Sequence, residues 1–289
     1  MTWAEATEDW VDGIMRIRTG LTLFPDSGYA LFVKFLYAFC VSGFCCAFAV
    51  LTVSAGSCPV STEEREWNGR DGSTVEGRLV GAYGTLAFLE INSGVHHVDI
   101  RAFSLEDIEY IVEWSVAYHS ARTKRPVYAD SEAEITRLVR RSARQVVDGR
   151  LRRLNLDETT EPEFFVFYFS ASWCGPCRRF TPVLVEWYEE RRAEGADNFE
   201  VFLVSSDRSS RDMGTYLEES GMPWPAIAHG SGTARRLGQF GGRGIPQLAV
   251  VDRYGHILLH SVVGGEYRGP QSVLRAFDPV LAASNRGTE

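Results

Sequence analysis

An uninterrupted apolar run, Phe164-Phe165-Val166-Phe167-Tyr168-Phe169, leads within four residues into Trp173-Cys174-Gly175-Pro176-Cys177. A run apolar at every position, without alternation, is what a strand buried on both faces requires. Beyond it, Phe180, Val183, Leu184 and Trp187 recur at helical spacing, with Glu186, Glu189, Glu190, Arg191 and Arg192 on the wet side. Cys174 is thereby expected at a strand-to-helix junction, with Cys177 one helical turn further on.

The first amides of a helix lack intrahelical partners, and the helix dipole puts partial positive charge there, so a thiolate is stabilised. Pro176 removes one N–H where none is needed and leaves the Cys177 N–H and thiol facing the Cys174 sulfur. Arg178 and Arg179 add positive potential, which draws the Cys174 pKa below the free-cysteine value of about 8.5. Cys174 then reads as the attacking thiol and Cys177 as the resolving one. Two other readings stand beside redox chemistry: half of a zinc site, or an inert structural disulfide. The remaining cysteines are Cys58 and Cys40, Cys45 and Cys46 within an apolar segment; neither they nor His229, His256 and His260 supply ligand-pair spacing. No metal and no cofactor is expected.

The block from Tyr168 through Trp173-Cys-Gly-Pro-Cys177 to Arg178-Arg-Phe-Thr-Pro182 resembles the thioredoxin superfamily, and within it the tryparedoxin and nucleoredoxin branch. Phe199 to Asp207, Met222-Pro223-Trp224 and Gly244-Ile245-Pro246 are similar to later stretches of that branch, and the resemblance covers about residues 148 to 284. It implies an α/β thioredoxin fold with a cis Pro246 beside the cysteines. It also implies Ile245 lining a substrate groove, Trp173 shielding the reactive sulfur, and Gly175 and Pro176 within the contact surface. Ordinary thioredoxins carry a buried aspartate six residues before the first cysteine; here that position is Tyr168, an aromatic as in the tryparedoxin-like proteins. The Gly-Pro dipeptide between the cysteines is thioredoxin's own, which favours a reductant, since thioredoxin is reducing at about −270 mV.

A chain of 289 residues accommodates about two domains, and its net charge of −8 argues against a nucleic-acid partner. No charged residue lies between Lys34 and Glu63, and Phe35 to Val53 gives 19 mostly apolar positions, close to the roughly 20 that span a bilayer. Residues 34–57 therefore read as an uncut membrane anchor or as a signal peptide cut after Ala55; a lipoprotein at Cys58 and a buried helix are the alternatives. Residues 1–33 form a short N-terminus in which Met15 is a second candidate start. Arg16, Arg18 and Lys34 before the segment, with Glu63, Glu64 and Glu66 after it, leave that N-terminus in the cytoplasm. The bulk of the chain is then expected outside the cytoplasm (in the periplasm), anchored to the cell membrane or secreted, and recharged by a donor at or across the membrane.

From Arg65 to Val112, short alternating runs separated by Asn68-Gly69, Gly81 to Gly84 and Asn92-Ser93-Gly94 read as successive antiparallel strands. Arg65-Glu66-Trp67, Asp71-Gly72, Glu76-Gly77 and the ending Phe103-Ser104-Leu105-x-Asp107-x-x-Tyr110 resemble the Sla-type homology domain (SHD), which implies a small all-β SH3-like barrel over 61–115. Such barrels bind short peptides or ubiquitin. His96 and His97 fall on opposite faces of one strand and are not a chelating pair. Residues 116–147 read as a helical linker opened by a Ser131-Glu132-Ala133-Glu134 capping box. Its stripe is Ile135, Leu138, Val139 and Val146, with Arg137, Arg140, Arg141 and Arg144 outward. The thioredoxin-like domain then occupies 148–289.

The expected function is a thiol:disulfide oxidoreductase, a reductase of protein disulfides. The alternative is an adaptor whose SH3-like domain recruits a partner while the thiol pair switches affinity. A peroxidase lacks its separate peroxidatic cysteine.

Overall fold

The strand β7 (Phe164–Ser170) is buried at all seven positions, and the rest of the main domain is arranged around it. The computed structural model describes residues 63–92, 94–122 and 125–286. Because side chains alternate along a strand, Phe164, Val166 and Tyr168 enter the core on one face while Phe165, Phe167 and Phe169 enter a separate core on the other.

The seven-stranded sheet has the order β11-β10-β7-β8-β9-β5-β6. Its strands are β5 (Ala143–Val147), β6 (Arg150–Arg153), β7, β8 (Phe199–Ser205), β9 (Ala226–Ile227), β10 (Gln247–Asp252) and β11 (Ile257–His260). The pairs β7/β8 and β8/β9 are parallel, whereas β10 runs antiparallel to β7 with Gln247 opposite Phe169. That register carries Pro246, just before β10, to the end of β7 from which the cysteine loop departs. Helices α3 (Gly175–Ala193), α4 (Ser210–Glu219) and α6 (Pro270–Arg286) supply Leu184, Met213 and Phe277 to the Tyr168 face. Helices α2 (Glu134–Ser142) and α5 (Gly232–Leu237) supply Val139 and Leu237 to the Phe167 face. A hairpin, β12 (Val262–Val263) and β13 (Glu266–Tyr267), precedes α6.

Three expectations for this region change. The stripe of α3 runs through Cys177, Phe180, Thr181, Leu184 and Trp187, leaving Val183 exposed at 38%, one position off the buried face. The helix expected to continue through Val146 ends at Ser142, and Ala143–Val147 is a strand. The reason is Asp148-Gly149, with φ of 50° and 68°, a turn with both central residues left-handed that joins β5 to β6 as a tight hairpin. Ser131 is also not the cap: Ala133 holds that position, and the Ser131 hydroxyl accepts from the Ala133 N–H at 3.3 Å.

N-terminal to this sheet, β1 (Glu64–Asn68), β2 (Thr74–Tyr83), β3 (Leu86–Ile91) and β4 (Gly94–Asp99) form an antiparallel sheet in the order β1-β2-β3-β4. The four strands expected here are present as this meander. After β4 a 3₁₀ turn, Ile100–Ala102, precedes helix α1 (Leu105–Arg122). The returning chain makes an isolated bridge, Phe103 with Gly69, and two flanking main-chain bonds. Its apolar face is covered by α1 and by the main domain. Tyr83 meets Phe164 edge-on at 5.2 Å between ring centroids, and Tyr118 donates to the buried Asp252 carboxylate at 3.1 Å. Each large side chain buried in this shared core contributes about 2 kcal/mol.

Among the described residues no helix is long and apolar enough to cross a membrane. The expected anchor or signal over 34–57, the N-terminus 1–33 and Cys58 lie outside the described residues.

Candidate active site

Strand β7 delivers the chain to Ala171, whose carbonyl accepts the Cys174 N–H at 3.1 Å. Cys174 is the N-cap of α3, in extended conformation, and its sulfur accepts the Cys177 N–H at 3.2 Å. This is the geometry expected from the sequence: a sulfur held where the helix offers free amides, with Pro176 in the first turn. Cys174 and Cys177 form a disulfide. Cys177 is fully buried and Cys174 is 5% exposed, so the pair reaches solvent through Cys174. When the disulfide opens, the amino end of α3 stabilises a thiolate on Cys174.

Opposite the pair, the Ile245–Pro246 peptide is cis, and the Ile245 carbonyl oxygen lies 3.7 Å from the Cys174 sulfur. Ile245 packs on a small cluster of Ala171, Cys174 and Cys177. The buried Pro246 is tied down by the Tyr267 hydroxyl, which donates to its carbonyl at 2.8 Å. Trp173 is 61% exposed and its indole N–H donates to the Ser206 carbonyl at 3.2 Å; it stands beside the disulfide as an open apolar face. Gly175 and Pro176 are exposed at the same rim. All seven residues expected at the site, Trp173 through Cys177 with Ile245 and Pro246, come together.

Asp207, which reads in the sequence only as the end of a strand, is a positioning residue. Its buried carboxylate accepts from the Ser172 N–H at 2.9 Å, the Ser172 hydroxyl at 2.7 Å and the Ser205 hydroxyl at 2.7 Å. It thereby fixes the loop carrying Trp173. Its carbonyl takes the His229 Nε2–H at 2.8 Å. An acid directly after two serines at the end of a parallel strand was the available signal.

Behind Cys177, Tyr168 fills the place of the usual acid. Its hydroxyl lies 2.9 Å from Thr181 Oγ1 and donates to the Cys177 carbonyl at 3.3 Å; Thr181 Oγ1 and Ser170 Oγ in turn meet the Tyr216 hydroxyl at 2.8 and 2.9 Å. Burial pushes the Tyr168 phenol well above its ordinary value, with the neighbouring Tyr216 adding to the effect. Tyr168 therefore holds its proton at neutral pH and does not serve as the base for Cys177. A groove of about 320 Å³ opens beside Ile245, floored by Phe169 and Val204 and bordered by His229, Arg235 and Gly242.

The residues that suggested a ligand-binding barrel are engaged within their own fold. Trp67 donates its indole N–H to the Gly77 carbonyl at 2.9 Å and lies under the Arg65 guanidinium at 4.8 Å. Arg65 also covers Tyr110 at 4.1 Å and donates to the buried Asp107 at 2.7 Å. Asp107 further accepts the Asn68 N–H at 2.7 Å and exchanges bonds with Ser104 at the start of α1.

Residues 163–257 match the family model described as thioredoxin-like. Probable nucleoredoxin 1 of Arabidopsis thaliana is 36% identical over 149 residues, 50% of this chain and 25% of the relative. Nucleoredoxin of Homo sapiens is 40% identical over 121 residues, 40% of this chain and 27% of the relative. Tryparedoxin of Trypanosoma brucei brucei is 46% identical over 87 residues, 29% of this chain and 58% of the relative. The match thus spans about a quarter of the nucleoredoxins and somewhat over half of the tryparedoxin. The segment around β7, α3, β8 and β10 is a thioredoxin-like domain with the thioredoxin α/β fold.

Proposed function

We propose that this protein is a thiol:disulfide oxidoreductase that reduces disulfides in protein substrates. The observation that carries the reading is the Cys174 sulfur at the amino end of α3, accepting the Cys177 N–H and facing the carbonyl of Ile245 in a cis peptide. In the reduced enzyme the Cys174 thiolate attacks one sulfur of a substrate disulfide, forming a mixed disulfide and expelling a substrate thiolate. Cys177, deprotonated, attacks the Cys174 sulfur; the second substrate thiol leaves, and the pair is oxidised. Two electrons pass to the substrate, and turnover requires an external dithiol to return them.

In this scheme Cys174 and Cys177 are the catalytic residues. Trp173, Gly175 and Pro176 form one wall of the contact surface, and the Ile245–Pro246 main chain forms the other. The Gly-Pro dipeptide supports the reducing direction. The test is insulin-disulfide reduction together with trapping. The Cys177→Ser variant accumulates a mixed disulfide detectable by mass spectrometry, and Cys174→Ser gives neither trapping nor turnover. Full reduction by Cys174→Ser would end the proposal.

Extracytoplasmic placement of the domain, with an electron donor at or across the membrane, is supported by the charge-free apolar stretch 35–53 and the basic residues before it. A membrane-impermeant thiol reagent applied to intact cells labels reduced Cys174 in that placement. Protection of Cys174 until lysis would place the domain inside.

A further inference from the structure

The rim of the candidate site carries six exposed arginines: Arg178 and Arg179 on α3, Arg208 and Arg211 around the start of α4, and Arg235 and Arg243 beside the groove. None forms a salt bridge among the described residues; the acids beside them are Asp212, exposed in the first turn of α4, and Asp207, buried and taken up by Ser172 and Ser205. Glu266, on the hairpin that braces Pro246, is paired with Arg268 at 2.7 Å. This local excess of positive charge stands in a chain of net charge −8.

Several arginines elsewhere have structural uses. Arg65, Arg125, Arg140, Arg192 and Arg253 are paired with acids at 2.6 to 3.0 Å. Arg150, Arg152 and Arg153 lie on β6, at the sheet edge, where charge prevents another strand from pairing. The rim arginines have neither use, and they come from three segments that border the site. The Arg179 guanidinium lies 3.7 Å from the place a Cβ would occupy at Gly175. Arg208 follows Asp207, which holds the Ser172 loop, and Arg235 borders the groove that Ile245 also lines.

We infer that the rim selects a polypeptide disulfide flanked by acidic side chains, with the groove beside Ile245 receiving one of them. The inference rests on the reductase reading and names its substrate class. The groove is suited to this because its floor is apolar, for the methylene stem of a glutamate, while its border carries the free guanidinium of Arg235. Gly230, Gly238 and Gly244 line it without side chains, and a Cβ at any of them would meet nothing within 4 Å. Charges on both sides of the sulfur also accelerate encounter with an acidic partner, an effect that salt removes.

The test uses the full chain with dithiothreitol as donor and two disulfide-linked peptides that differ only in glutamate or lysine beside the cysteine. Each rate is divided by the rate of reduction by dithiothreitol alone. The expected glutamate-to-lysine ratio of kcat/KM is on the order of tenfold at low ionic strength, falling toward unity in high salt. In an Arg235→Gln/Arg243→Gln variant the ratio drops by about threefold or more, at roughly twofold to fivefold per ion pair. A ratio of one in the wild type, a ratio that survives the double substitution, or oxidised glutathione preferred over the glutamate peptide would each overturn the inference. Reduction of the neutral hydroxyethyl disulfide by the wild type separates the two failures: without it the reductase reading itself fails.

Discussion

Arg65 in the N-terminal meander and Arg179 at the start of α3 differ in what surrounds their guanidinium groups. Arg65 lies over Trp67 and Tyr110 and donates to Asp107, which is 1% exposed. Arg179 is exposed and has no acidic partner among the described residues. Both belong to short motifs that stand out in the sequence, Arg65-Glu66-Trp67 and Trp173 to Arg179. In the first, the Arg65 guanidinium and the Trp67 indole are both engaged within their own fold, so the motif describes packing. In the second, a nearly buried sulfur, an exposed indole and free cations face outward, so the motif describes chemistry. A motif's function is therefore read from the hydrogen-bond and charge partners it lacks, rather than from its residues alone.

The largest expected effect that tests this contrast is at Cys174. Cys174→Ser lowers disulfide reduction to the background of the assay, a loss of about a thousandfold or more, because an alcohol at this pH supplies no nucleophile. Measured against the reduced wild type, its unfolding midpoint is little changed. Asp107→Ala is expected to do the opposite. It leaves Arg65 without its carboxylate, the Asn68 N–H without an acceptor and α1 without its first-turn exchange with Ser104. The cost is about 3 kcal/mol, a drop of roughly 6 to 12 °C in Tm. Specific activity per folded molecule is retained. An Asp107→Ala protein of normal stability with impaired peptide capture would reverse the reading of the meander.

The site was largely legible in the sequence because its determinants are local: β7 is apolar at every position, and the cysteines follow within one turn. Cis Pro246 followed from the resemblance. What escaped was set by distant partners. Asp207 acts on Ser172, 35 positions away, and no periodicity encodes that contact. The hairpin at Asp148-Gly149 was written in the chain as a turn signal, but the amphipathic run before it invited extension of α2 into β5. The strands of the meander were readable from their turn signals, whereas the return of Phe103 to Gly69 rests on a partner far along the chain.

Tyr168→Phe probes the buried side of the site with a smaller effect. Removing the hydroxyl deletes its bond to Thr181, while Thr181 keeps the Tyr216 hydroxyl at 2.8 Å, so the expected loss is about 1 kcal/mol in denaturant unfolding. Because burial holds the phenol protonated, the pH–rate profile of disulfide reduction keeps its shape between about pH 6 and 9. Loss of a titrating limb in Tyr168→Phe would make Tyr168 a proton carrier for Cys177 and dissolve the assignment of this hydroxyl cluster to packing.

The smallest effect lies at the rim of the meander, where a carboxylate is engaged as Asp107 is but is far more exposed. Asp99 accepts from Arg101 Nε at 2.8 Å and from the Arg101 N–H at 2.9 Å, capping the 3₁₀ turn. The Arg101 side chain, opposed by partial burial and aided by the backbone bond, holds the Asp99 carboxyl below its ordinary range. A carboxyl whose folded pKa is depressed adds stability in full above its unfolded value of about 3.9, and that stability is lost as pH falls through the lower folded value. With side-chain exposures of 35% for Asp99 and 60% for Arg101, solvent screening keeps the contribution of Asp99 below about 1 kcal/mol. Asp99→Asn should therefore lower stability slightly at pH 7, less in high salt, and by a shrinking amount toward about pH 3, as read from urea midpoints at each pH. A cost independent of pH would mean that the cap geometry matters and the charge does not, which would set Asp99 apart from Asp107 in kind as well as in degree of burial.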